Sequence, residues 1–178
     1  MAMKKQLLIV PSILFLLILS TSFYLLIIER NPFELPSNLL DKNVPNFEAE
    51  SLLKNKNFVS SKEFGNEIIL VNFFATWCKP CRDEHVFIKR FSNEKGIRVI
   101  GINYKDRSDN AVEWLKNLGN PYSDVPIDKN GRIAIDWGVY GIPETFLINS
   151  KGIIKYRQVG PITKKIYKKI NLLIKEIE

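Results

Sequence analysis

The chain has 178 residues, 46% of them hydrophobic and 25% charged, with a formal net charge of +7. That balance is ordinary for a globular protein, and the chain carries no internal repeat or low-complexity tract. Its basic excess has no aromatic interleaving and no groove-reading motif, which excludes nucleic acid as a partner.

The first predicted element is apolar. From Leu7 to Ile28, LLIVPSILFLLILSTSFYLLII runs for 22 residues without a charge, enough helix to cross a hydrocarbon core that needs about 20 residues. Pro11 lies near its start, where it does least harm. Lys4 and Lys5 precede the span and Glu29 closes it, a bias that keeps the N-terminus in the cytoplasm and sends the remainder across the membrane. A cleaved signal peptide is the alternative, with Ser20-Thr21-Ser22 as small residues for a peptidase. The apolar run nevertheless continues to Ile28, beyond the roughly 7 to 15 residues of a signal core. The expectation is a single-pass anchor over residues 1–28, with the C-terminal domain facing the periplasm or an equivalent exterior.

All 19 acids and 24 of the 26 Lys/Arg follow residue 28, so 24 minus 19 leaves +5 on the outer portion. Residues 29–43, rich in proline and weakly periodic, read as a tether, and the compact domain is expected over 44–178. Within it, EIILVNFFA from Glu67 to Ala75 has the near-continuous apolar character of a strand buried on both faces. The cysteines follow at once and open a helix whose apolar face is expected to hold Val86, Phe87, Ile88 and Phe91, with Gly96 as its stop. A second strand, Ile97 to Tyr104, precedes a helix from Ser108 to Gly119, with Ser108 or Asp109 available as N-cap. Two further strands, Thr145 to Ile148 and Ile153 to Val159, are joined at Asn149-Ser150-Lys151-Gly152 as a hairpin. In the last helix Ile166, Tyr167, Ile170, Leu173, Ile174 and Ile177 fall at helical spacing between lysines, a solvated face rather than a lipid-headgroup site. The order predicts one α/β domain with a central mixed sheet flanked by helices.

ATWCKPCRDEH, residues 75–85, holds both cysteines and the single histidine of the chain. A zinc site needs four ligands, or three and a water, and no second Cys/His cluster completes the set. Covalent haem attachment requires C-x-x-C-H, and Arg82 follows Cys81. A structural disulfide across so short a loop removes little chain entropy. Redox exchange benefits from the closeness, because Cys81 can resolve a mixed disulfide on Cys78. A helix beginning at Cys78 aims amide hydrogens and its positive dipole end at that sulfur, with Lys79 and Arg82 adding charge. Such cysteines have pKa values drawn down from about 8.5 to about 3.5–7.5. Pro80 fits the first turn, where its missing amide hydrogen costs nothing. No metal and no cofactor is expected.

FFATWCKPC after a buried strand resembles a thioredoxin active site, and GVYGIPETFLI resembles the thioredoxin-fold loop whose proline is cis. With RVIGINYKD and WLKNLGNPY, these blocks resemble, in order and across nearly the whole chain, the membrane-anchored thioredoxin-like proteins of cytochrome c maturation, the DsbE/CcmG family. The resemblance implies a thioredoxin-like fold and a thiol:disulfide oxidoreductase that keeps apocytochrome c thiols reduced for haem attachment, directly or through a thiol carrier. It makes the anchoring membrane the inner membrane and implies reduction by a membrane electron conduit fed from thioredoxin, and nothing suggests more than a monomer. Asn72 stands where thioredoxin carries a buried aspartate, and an amide cannot accept a proton. The resemblance points to Glu84 as the acid near Cys81, with Glu144 as second candidate. It also implies a cis Ile142-Pro143 bond, which leaves the backbone of Ile142 open to an extended substrate. Trp77 is expected to shield the site surface. His85 reads as a surface or packing residue, or one that tunes a thiol pKa. A general periplasmic disulfide reductase, and a non-catalytic chaperone binding apocytochrome or haem, are the rival functions.

Overall fold

The computed structural model describes residues 2–27, 39–53 and 56–177, with side chains of the first helix described over 10–25. The chain divides into two compact units, Met1–Glu34 and Leu35–Glu178.

The first unit contains α1, Ala2–Ile27, with Pro11 inside it. Every described side chain of α1 is exposed. Its hydroxyls turn back on the helix: Ser20 Oγ donates to the Leu17 carbonyl at 3.0 Å and Thr21 Oγ1 to the carbonyls of Leu17 and Ile18. Among the described residues no helix is long and apolar enough to cross a membrane. The expected span Leu7–Ile28 extends beyond the described side chains at both ends, and most of the expected tether lies outside the described residues.

The second unit is built on a five-stranded sheet. The strands are β3 (Ile69–Phe74), β4 (Arg98–Tyr104), β5 (Ile127–Asp128), β6 (Glu144–Ile148) and β7 (Ile154–Val159), in spatial order β5-β4-β3-β6-β7. Parallel β3–β4 and β4–β5 pairs meet antiparallel β3–β6 and β6–β7 pairs, so the sheet is mixed. A separate two-stranded ribbon joins β1 (Glu48–Glu50) to β2 (Phe58–Ser60). The helices are α2 (Lys79–Lys95), α3 (Ser108–Leu118), α4 (Arg132–Asp136) and α5 (Lys164–Ile177).

Strand β3 is buried at all six positions, and its alternation divides the core. Leu70 and Phe74 face the cluster that holds Ile88, Phe91, Leu115, Tyr167, Ile170 and Ile174 from α2, α3 and α5. Ile69, Val71 and Phe73 face a second cluster with Trp137, Phe146 and Ile148. Asn72, between Leu70 and Phe74 in the alternation, is therefore a polar side chain on the α2 side of the sheet. The lead-in from Leu39 pairs with the start of β7, Asp41 N donating to the Ile154 carbonyl at 2.8 Å and Ile154 N to the Lys42 carbonyl at 2.9 Å.

Helix α2 ends where the sequence indicates, at Gly96, which adopts φ 64°. Its buried stripe is Cys81, Glu84, His85, Ile88 and Phe91, the i, i+3, i+4, i+7 pattern of a helix face. Val86 is exposed, because one residue past His85 the helix has already turned away from the core. Helix α3 begins at Ser108 with Arg107 in the cap position and no side-chain cap. The ribbon, β5 and α4 are elements that hydropathy leaves unmarked, each too short to establish a period.

Candidate active site

Backbone geometry places Cys78 at the end of the loop leaving β3. Cys78 is the N-cap of α2, and Pro80 lies in the first turn. Cys78 and Cys81 are joined in a disulfide, with Cα atoms 5.3 Å apart. The Cys81 amide donates to Cys78 Sγ at 3.1 Å, so an N–H of the unpaired first turn faces the leading sulfur. That is the arrangement that favours a thiolate once the bond is opened. Cys78 is 4% exposed and Cys81 2%.

The loop between β3 and α2 is braced from β4. Asp106 accepts from the Thr76 amide at 2.6 Å and from the Thr76 hydroxyl at 2.8 Å. The same carboxylate accepts from Asn103 Nδ2 and from the Arg107 amide. Trp77, 60% exposed, donates its indole N–H to the Lys105 carbonyl at 3.2 Å. Trp77 thus lies on the surface beside the cysteines, held at its edge by the loop before α3.

Three residues beyond Cys81 on the same helix face, Glu84 is 1% exposed. Its carboxylate accepts from Asn72 Nδ2 at 2.8 Å and from the Ile162 amide at 2.7 Å. Burial raises its pKa to about 7, while the Ile162 amide and the Asn72 amide pull the other way. A carboxyl that titrates near neutrality can take or give a proton there. Asn72 also donates to Thr145 Oγ1 at 3.0 Å and accepts from the Tyr122 hydroxyl at 2.8 Å. Burial, together with the Glu84 charge, pushes the Tyr122 phenol well above its ordinary value.

Glu144 has a different setting. It is fully buried and its Oε2 accepts from Arg157 Nε and from a terminal guanidinium nitrogen, both at 2.7 Å. Oε1 accepts from the amides of Tyr140 at 2.9 Å and Gly141 at 3.4 Å. One oxygen is thus spent on Arg157 of β7 and the other on the loop that leads into Pro143. The Ile142-Pro143 bond is cis. Because Phe73 pairs with Glu144 in the β3–β6 register, Pro143 sits at the same end of the sheet as the cysteine loop. His85 is buried, with Nε2–H donating to the Gly119 carbonyl at 2.8 Å and its ring 4.6 Å from that of Trp114. Burial holds its pKa below the ordinary histidine range, so it packs as a neutral ring.

Of the residues that sequence reasoning named, the structure joins Cys78 to Cys81, hydrogen-bonds Asn72 to Glu84, and puts Cys81 and Glu84 on one buried face of α2. Sequence reasoning gave no site role to Tyr122, Thr145, Arg157 or Asp106, which hold those residues or their neighbours. A lone amide in an apolar strand was the one available signal, since Asn72 had to find buried partners. Among the described residues no group of three or more His, Cys, Asp or Glu is placed to hold a metal ion.

Residues 40–171 match the redoxin family model. The chain is 42% identical over 172 residues to the thiol:disulfide interchange protein DsbE of Tatumella citrea, covering 93% of this chain and 91% of that one. It is 43% identical over 134 residues to the thiol:disulfide interchange protein CycY of Rhizobium leguminosarum bv. viciae, covering 75% and 72%. The crystal structure of a secreted thiol-disulfide isomerase from Corynebacterium glutamicum shares the fold, with a TM-score of 0.65, 22% identity, and coverage of 75% of this chain and 85% of that one.

Proposed function

This chain belongs to the DsbE/CcmG family of redoxin-domain thiol:disulfide interchange proteins and is a thiol:disulfide oxidoreductase, and from that premise we propose that it is a membrane-anchored periplasmic reductant of apocytochrome c. The observation that carries the reading is the pairing of an N-cap sulfur facing an amide with a buried carboxyl one turn further in.

In the reduced protein, the Cys78 thiolate attacks one sulfur of a substrate disulfide. The substrate S–S bond breaks, its other sulfur leaves as a thiolate, and a mixed disulfide forms on Cys78. Glu84 takes the proton of Cys81, whose thiolate attacks Cys78 Sγ. The second substrate sulfur then departs, and the protein is left with the Cys78–Cys81 bond. Two electrons have passed to the substrate, whose two thiolates take up protons. A membrane electron conduit fed from thioredoxin reopens the bond, and apocytochrome c is met directly or through a thiol carrier. Pro143 and the backbone of Ile142 line the path of the substrate chain, Trp77 forms its rim, and Glu144, held by Arg157, positions that loop by accepting from the Tyr140 and Gly141 amides.

The anchor is supported by α1 itself. The sequence runs without a charge from Leu7 to Ile28, and the Ser20 and Thr21 hydroxyls of α1 are satisfied by its own carbonyls, as hydrocarbon demands. Lys4 and Lys5 set the orientation that places the redoxin domain outside.

Trapping tests the reading. Cys81→Ser in the full chain, expressed with its membrane, is expected to accumulate a mixed disulfide with a C-x-x-C-H apocytochrome or its thiol carrier. Cys78→Ser is expected to trap neither, and each variant to lose holocytochrome formation. Normal holocytochrome levels in both variants would sink the reductase and leave a binding chaperone in its place.

A further inference from the structure

The amide of Asn72 can sit either way round, and the two ways are not equivalent for Glu84. With its NH2 toward Glu84, Asn72 donates to a carboxylate. With its carbonyl there, it could accept from a protonated carboxyl. The choice is made on the far side of the amide, where the Tyr122 hydroxyl donates to Asn72 Oδ1 at 2.8 Å. Turning the amide over would set Nδ2 against the phenol and deprive a buried phenol hydrogen of its acceptor, which low-dielectric surroundings penalise. The Thr145 hydroxyl can accept or donate and fits either orientation.

The phenol is itself fixed in place. Its ring stacks on Phe74 with centroids 4.8 Å apart, and its amide donates to Asn120 Oδ1 at 2.9 Å. It lies over Gly101 so closely that a Cβ there would come within 2.7 Å of Tyr122 Cγ. The hydroxyl therefore meets Asn72 from one direction.

We infer that Tyr122 is a positioning residue for Glu84: acting through Asn72, it keeps an NH2 and not a carbonyl against the Glu84 carboxylate, and so keeps that group able to ionise. The inference rests on the proton-accepting role proposed for Glu84 and names the residue that sets it. The titratable groups that face this network are the Tyr122 phenol, the His85 ring, 6.3 Å from that of Tyr122, and, once the disulfide is opened, the Cys81 thiol three residues before Glu84 on α2. Strands β3 and β6 and the segment before α5 bring the neutral Asn72, Thr145 and Ile162 amide.

Carbon-13 NMR titration of the Glu84 carboxyl in the oxidised full chain reads its protonation with no substrate present, so the outcome is independent of whether apocytochrome c is the target. The resonance is assigned by its loss in Glu84→Gln. Tyr122→Phe, which keeps the stack on Phe74, is expected to raise the midpoint by about one pH unit, a tenfold gain in proton affinity. Asn72→Ala is expected to raise it as well, and in that background Tyr122→Phe should move it no further. An unmoved or lowered midpoint in Tyr122→Phe overturns the inference, and so does an equal shift that persists without Asn72. Should the phenylalanine variant not fold, Tyr122→Met fills the space without a hydroxyl and is read the same way.

Discussion

A single carboxyl, Glu84, predicts an unusual pH dependence of stability. In the folded protein Glu84 holds its proton to about pH 7, against an ordinary value of 4.5. Between those values the folded chain binds a proton that the unfolded chain has released, so this group's contribution is complete below about pH 4.5 and is lost as pH rises through 7. The loss is about 3 kcal/mol. His85 acts in the opposite sense: its lowered pKa means that its contribution is present above about pH 6.5 and lost as pH falls. Glu84→Gln removes the first effect and leaves the second. In urea denaturation with the disulfide intact, the stability of the native sequence relative to Glu84→Gln is expected to fall by about 3 kcal/mol between pH 4.5 and 8. Parallel pH profiles for the two proteins would contradict this account. The sequence contained half of the explanation, since Asn72 announced a missing acid. The other half was hidden because Tyr122 and Ile162 stand 50 and 78 positions from their partners, at separations that only the closed core can bridge.

At the scale of elements, the loop from β4 to α3 is what holds the approach to α2. Asp106 gathers four donors, two of them from Thr76, and each is a charge-assisted bond. Asp106→Ala strands a partly buried Thr76 amide, for a cost of about 1–3 kcal/mol. Hydrogen exchange at Thr76 and Trp77 is expected to quicken at least tenfold, while the amides of β7 keep their protection; uniform change across the sheet would mean global loosening instead of a released brace. The elements themselves were legible wherever a period could establish itself. Strands β3, β4, β6 and β7 and helices α2, α3 and α5 lie within a residue or two of their hydropathy bounds. The face of α2 was misassigned at Val86 because hydropathy favours apolar residues, whereas this helix turns Glu84 and His85 inward. Strand β5 has two residues and α4 five, lengths at which local pattern carries little and tertiary pairing decides.

For the whole molecule, the chain divides at Glu34/Leu35, and under the proposed function that division would separate chemistry from address. A fragment spanning residues 35–178, exported with a cleavable signal, is expected to exchange disulfides with a soluble C-x-x-C-H peptide at the rate of the full chain. Its yield of holocytochrome in cells should fall roughly tenfold or more, because it loses the raised local concentration of a tethered partner. A full yield would remove the need for the proposed anchor. The burial of the disulfide has a consequence for traffic in electrons. With 4% of Cys78 and 2% of Cys81 open to solvent, a small wandering thiol finds almost no sulfur face to strike. A partner chain laid along the loop at Pro143, the path proposed for the substrate, would have to open that face as it docks. Under the proposed function such a site would act as insulation on a wire, favouring fitted terminals over the surrounding pool of oxidants and reductants.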